Sequence, residues 1–156
     1  MDVNLSHHRE GIMGKGFVAM VVSVLVVTGA VWAAGGAGTS LYERLGGKDA
    51  ITAVVETFVA HVGADKRING FFASTDLAKL KRHLGNQICE ASGGPCKYTG
   101  RTMKHTHAGM GISNADFNAL VDDLIGALDH HHVGKSEKED LLGVLGPMRS
   151  DIVEKK

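Results

Sequence analysis

The sequence predicts an all-α domain preceded by an N-terminal apolar helix, on three observations. Past residue 40 the apolar residues recur at spacings of three and four, no stretch alternates with period two for long, and residues 17–34 form an uncharged apolar run unlike anything after it. The 156 residues suit one modest domain, and no internal repeat is visible. The composition shift divides the chain into 1–38, a signal peptide or membrane anchor with a Gly-rich linker, and 39–156, the helical domain.

In the leader, Arg9 and Lys15 precede the run Phe17 to Ala34, and Gly35-Gly36-Ala37-Gly38 follows it. A basic flank, an apolar stretch and a breaker, in that order, read as an export signal. As a helix the run spans roughly 27 Å, about the hydrocarbon thickness. A signal cleaved near Val31-Trp32-Ala33 and an uncleaved anchor spanning 17–34 therefore both stay open. Lys15 and Arg9 keep the N-terminus inside in either case, so the expected location is periplasmic, soluble or anchored to the inner membrane. Cys89 and Cys96 are the only cysteines, so no thiol follows the run to carry a lipid.

The helical elements follow in order. Ser40-Leu41-Tyr42-Glu43 is a capping box that opens a short helix, stopped at Gly46-Gly47. From Asp49 to Ala64 the residues Ile51, Val54, Val55, Phe58 and Val62 make one buried stripe. Periodicity fades after Asp65, and Phe71-Phe72 stand side by side in a connector. Leu77, Leu80, Leu84 and Ile88 form the next stripe, ended by Ser92-Gly93-Gly94-Pro95. The segment Cys96 to Arg101 is loop, and a brief helix holds Met103 to Ala108. Ser113 with Asp116 opens the helix of Phe117, Leu120, Val121, Leu124, Ile125 and Leu128. Ser136 with Glu139 opens the last, carrying Leu141, Val144, Leu145, Met148 and Ile152 and kinked by Pro147.

The formal charge is zero and no basic stripe appears, which argues against a nucleic-acid partner. Aromatics make up only 5% of the chain, so a large planar cofactor would usefully complete the core. Cys89 and Cys96, seven apart across a Gly-Gly-Pro turn, suit either a disulfide in an oxidising compartment or two half-buried thiols.

Nine histidines are present. His7 and His8 belong to the leader, and His61 lies off its helix's stripe, which predicts a solvated ring. His130-His131-His132 end a helix, where imidazolium favourably meets the negative helix end, with adventitious metal binding as the alternative. His105 and His107 are two apart and so point about 200° from one another on a helix. Only one can face a given pocket, and pattern alone does not choose between them.

Tyr98-Thr99-Gly100-Arg101, Met103-Lys104 and His107-Ala108-Gly109-Met110-Gly111-Ile112 resemble the proximal segment of group 1 truncated haemoglobins. The similarity runs from Ser40 to about Val153 and includes Leu41-Tyr42-Glu43-Arg44-Leu45-Gly46-Gly47, Phe71-Phe72 and Gly93-Gly94-Pro95. It implies a truncated globin two-over-two helical sandwich over 39–156, with haem b at its centre and its iron held by His107. On the same resemblance Phe58 abuts the distal side and Phe72 packs on the haem face. Leu80, Leu84, Met103, Ile112, Phe117 and Leu145 line the slot.

The pattern departs from the family on the distal side. Many members carry a Phe-Tyr pair in the first long helix and a Gln on the distal helix. Here Phe58-Val59 and Leu84 supply no donor. His83 falls where some cyanobacterial relatives place a second axial imidazole, so it is either a distal iron ligand or a group facing a propionate or solvent. Pro147-Met148-Arg149 stand where some relatives attach haem covalently through a His, and no such link is expected.

The resemblance implies binding of dioxygen, carbon monoxide or nitric oxide. An enzymatic alternative is a nitric oxide dioxygenase or a peroxidase-like protein at the same iron, served by an unknown reductant. A further alternative is a non-haem, membrane-tethered helical interaction module. The spectrum of the ferrous protein separates these readings, which the fold alone does not.

Overall fold

The computed structural model describes residues 38–155. The run 17–34, read as a signal or anchor, lies outside them. Among the described residues no helix is long and apolar enough to cross a membrane. They form the helices α1 (Leu41–Arg44), α2 (Gly47–Ala64), α3 (Leu77–Ala91), α4 (Met103–His107), α5 (Asn114–His130), α6 (Lys135–Leu145) and α7 (Arg149–Ile152). Short 3-10 turns at Asn69–Phe72 and Gly146–Met148 complete the order.

Side-chain caps set most of the helix starts. Ser40 Oγ accepts from the Glu43 amide while the Glu43 carboxylate accepts from the Ser40 amide, and Ser113 and Asp116 repeat the exchange at α5. Asp76 accepts from the Lys79 amide to open α3, and Thr102 from the His105 amide to open α4. Each pairs an amide that the helix itself leaves without an acceptor.

Two starts and one end differ from the pattern. Helix α2 begins at Gly47, behind Gly46 at φ 90°, a backbone that glycine reaches without strain. Helix α6 begins at Lys135 with Gly134 as its cap, so Ser136 sits inside the first turn and caps nothing. Pro147 ends regular α-helix, having no amide hydrogen to give. The chain passes through the turn Gly146–Met148 and restarts as α7.

Helix α2 packs on both α3 and α5, α1 rests on α2 and α6, and α4 packs on α7. Ile51, Val54, Val55, Phe58, Val59 and Val62 bury the α2 stripe in the main core, with Leu128 and Leu141 nearly fully enclosed. Burying a side chain of this kind contributes about 1.5–3 kcal/mol. A smaller cluster gathers Ile112, Phe117 and Ile152.

The α2–α5 seam also carries polar contacts. His61 is half-buried rather than solvated, its Nδ1 lying 3.3 Å from the Asp123 carbonyl, and His131 Nε2 lies 2.8 Å from Thr57 Oγ1. His131 is the C-cap of α5. Among the described residues no group of three or more His, Cys, Asp or Glu gathers to hold a metal ion.

Cys89 and Cys96 form a disulfide, with Cα atoms 5.7 Å apart, tying the end of α3 to the loop behind it. The turn between them needs a glycine. A Cβ on Gly94 would lie 2.8 Å from the Cys89 carbonyl oxygen and 2.5 Å from the Tyr42 ring.

Candidate functional site

A cavity of about 810 Å³ opens between the helices. That is within the size range of cofactor pockets, roughly 300–1,000 Å³. Phe58 of α2, Leu80 and Leu84 of α3, Leu120 and Leu124 of α5 and Leu145 of α6 make its walls apolar. Met103 and Phe117 also line it. Such walls favour a large apolar guest and exclude water from most of its surface.

Two imidazoles reach the cavity, one from α3 and one from α4. His107 Nδ1 lies 2.7 Å from the Met103 carbonyl oxygen one turn earlier. A carbonyl only accepts, so Nδ1 carries the hydrogen and donates it. In the neutral ring Nε2 is then the nitrogen with the lone pair, through which imidazole binds a metal. His105 is exposed and does not line the cavity. The half-turn between the two residues places one ring inside and the other outside.

His83 stands on α3, its ring edge-to-face with Tyr98 at 5.8 Å between centroids. Its Nδ1 is buried and has no partner within the protein. A buried nitrogen left in that state costs about 1–3 kcal/mol. Leu84, next along the helix, offers no polar group.

Lys79 and Arg101, both exposed, line the cavity, with the Asp76 carboxylate also in its lining. Arg149 lies over the Phe117 ring at 4.3 Å and donates to Asn114 and Asn118. An apolar slot, two imidazoles that line it and exposed cationic side chains at its edge together fit a planar metal complex with acidic groups at one edge. The haem b expected from the sequence is such a complex.

Two residues expected at the slot sit elsewhere. Phe72, in the turn ahead of α3, is half-buried against the main core and does not reach the lining. Ile112 is buried in the smaller cluster with Phe117 and Ile152, one layer behind the wall they form. Val59 is buried in the main core and is not a lining residue.

Gln87, Tyr98 and Met148 also line the cavity, although none is named as a slot residue from the sequence. Gln87 follows His83 by four on α3 and so shares its face, a spacing that would have found it. Its amide lies 3.4 Å from the Met103 sulfur and 3.3 Å from that of Met148. Tyr98 has no such local signal. Its amide donates to Glu90 and its hydroxyl to the Arg101 carbonyl. The Tyr98 amide, with Lys97 helping, holds the Glu90 carboxyl below its usual range.

A family model described as bacterial-like globin matches residues 40–154. The group 1 truncated hemoglobin of Mycolicibacterium paratuberculosis is 36% identical over 113 residues, 72% of this chain and 83% of that one. That of Synechocystis is 34% identical over 112 residues, 69% of this chain and 90% of its own. The crystal structure of truncated hemoglobin from Tetrahymena pyriformis in its Fe(III) form superposes with a TM-score of 0.72 at 31% identity, covering 75% of this chain and all of that one. The 2/2 hemoglobin from Synechococcus, in the cyanomet state with covalently attached heme, gives 0.70 at 33% identity, with 74% and 98% covered.

Proposed function

We propose, from the premise that this chain belongs to the bacterial-like globin family as a group 1 truncated haemoglobin, that His107 is the proximal ligand of its haem iron and His83 the distal one. The protein binds haem and, through it, diatomic gases such as dioxygen. When bound, the haem supplies an iron that coordinates a small ligand.

The observation that carries the proximal assignment is the 2.7 Å contact from His107 Nδ1 to the Met103 carbonyl, on a ring that faces the cavity. That hydrogen bond fixes the tautomer and orients Nε2 as an electron-pair donor. His83 lines the same cavity from α3. Lys79 and Arg101 at the rim suit the two propionates, and Leu80, Leu84 and Phe58 exclude water.

Exposure of the domain to the periplasm completes the reading. The charge-flanked apolar run 17–34 and the Cys89–Cys96 disulfide both support it, since disulfides persist in oxidising compartments. Carbon monoxide and nitric oxide are further ligands of this chemistry, and a reductant that returns the iron to the ferrous state is a partner.

The test compares haem content after purification in His107→Gly and His105→Ala variants of the full chain. The first loses stable haem, recovering it with added imidazole, and the second retains it. Equal haem in both would overturn the assignment.

A further inference from the structure

The two glycines that follow His107 are held by a residue from the far end of the chain. Glu154, two positions beyond the buried Ile152 of α7, sends its carboxylate across to the loop after α4. One oxygen accepts from the Gly109 amide at 2.7 Å and the other from the Gly111 amide at 2.6 Å. These are charge-assisted bonds, and the pair is bidentate, which adds direction to strength. The backbone completes the seam: the Glu154 and Lys155 amides both donate to the Ile112 carbonyl, at 2.9 and 3.0 Å.

The loop is shaped for this grip. Gly109 lies at φ 79° and Gly111 at φ 66°, the left-handed region that lets alternate amides turn toward one anion. The Met110 amide between them turns back to the His107 carbonyl at 3.2 Å. Backbone contacts therefore run without a break from the carboxylate to the peptide of the candidate ligand. The same contacts hold the Glu154 carboxyl below its usual range, the Gly109 amide being the larger cause and the Gly111 amide the next.

We propose that Glu154 is a positioning residue for His107. By gripping the two amides that follow the histidine, its carboxylate fixes how the imidazole stands in the cavity and so how firmly it holds the iron. This rests on the reading of His107 as the proximal ligand. A loop of Gly-Met-Gly has little stiffness of its own, and the Glu154 carboxylate ties both of its glycine amides to the segment after α7. Losing one acceptor would leave an amide without its partner and let the histidine's end of α4 shift.

The test uses the full chain loaded with haem, in wild type, Glu154→Gln and Glu154→Ala. The readouts are the iron–histidine stretching band of the ferrous protein, taken after photolysis of its carbon monoxide adduct, and the rate of haem loss to an acceptor apoglobin. Both variants shift the band and lose haem about tenfold faster, the scale typical of removing a group that orients a metal ligand. Leu141→Val, in the main core away from this loop, serves as the stability control: it lowers the melting temperature and leaves the band in place. A band and haem-loss rate unchanged in both Glu154 variants would overturn the proposal, as would an equal shift in Leu141→Val. His107→Gly separates the two readings, because persistence of the same band in that variant removes the proximal assignment and the positioning role with it.

Discussion

At the scale of single residues, the distal side turns on one imidazole. His83 lies on the cavity with its Nδ1 buried and unpartnered, while Leu84 beside it is apolar and Val59 is withdrawn into the core. With no hydroxyl or amide at those two positions to stabilise a bound gas, the internal imidazole is the strongest sixth ligand in reach. The ferrous protein without added ligand is expected to show low-spin, six-coordinate bands. Replacing His83 with Leu should convert it to high spin and speed carbon monoxide binding, because the external ligand no longer waits for an internal one to leave. A high-spin wild type unchanged by His83→Leu, followed by absorption and flash photolysis, would make His83 a bystander. The choice between His105 and His107 belongs to this scale too. The sequence shows that only one of them faces a pocket, and the resemblance favours the second. The tautomer-fixing contact to Met103 becomes visible only in three dimensions, although both partners lie within one helical turn.

At the scale of elements, caps and the disulfide carry measurable weight. Ser113→Ala removes the acceptor for the Asp116 amide and should destabilise the domain by about 1 kcal/mol in a urea titration. Reducing Cys89–Cys96 frees a short loop, and chain entropy puts the loss at about 2–3 kcal/mol, read as a lower midpoint with reductant than without. Acid should act through the same caps. Ser113 bonds hold the Asp116 carboxyl below its ordinary 3.8, and Ser40 bonds, the backbone amide first, hold Glu43 below 4.5. A carboxyl depressed on folding contributes stability that is complete above its unfolded value and is lost as pH falls through the folded one. Asp123 is shifted upward, chiefly by burial, and acts in the opposite sense. Melting temperature should therefore hold steady down to about pH 5 and decline below it. The stripes of α2 and α5 are legible because each repeats over several turns, whereas Leu77, read as the start of the α3 stripe, is exposed. The start of α6 was misread because Ser136 and Glu139 have the spacing of a capping box, yet Gly134 turns the chain into the helix two residues sooner.

At the scale of the whole molecule, what the sequence reveals depends on how far apart the partners lie along the chain. The all-helical fold, both capping boxes and the candidate ligands come from contacts a few residues apart, or from motifs whose order matches a known family. The tail that grips the loop after His107 joins residues 43 and 45 positions apart, and no local pattern announces it. Tyr98 reaches the cavity for a similar reason, its place being set by Glu90 on α3 and by the disulfide two residues before it rather than by any periodicity. Export is the remaining prediction, and it concerns the chain in its entirety. Arg9 and Lys15 ahead of the apolar run favour retention of the N-terminus in the cytoplasm, which delivers everything after residue 34 to the other side. The Cys89–Cys96 disulfide supports this expectation, since cytosolic thiols keep such bonds reduced. An alkaline phosphatase reporter fused after Lys156, active only once exported, should be active, and deletion of residues 17–34 should silence it. The Cys89–Cys96 bond should be present in protein recovered from the full chain and absent from the deletion variant, as read by thiol alkylation before reduction. An inactive reporter on the full chain, or equal thiol labelling of the two forms, would place the globin domain inside the cell.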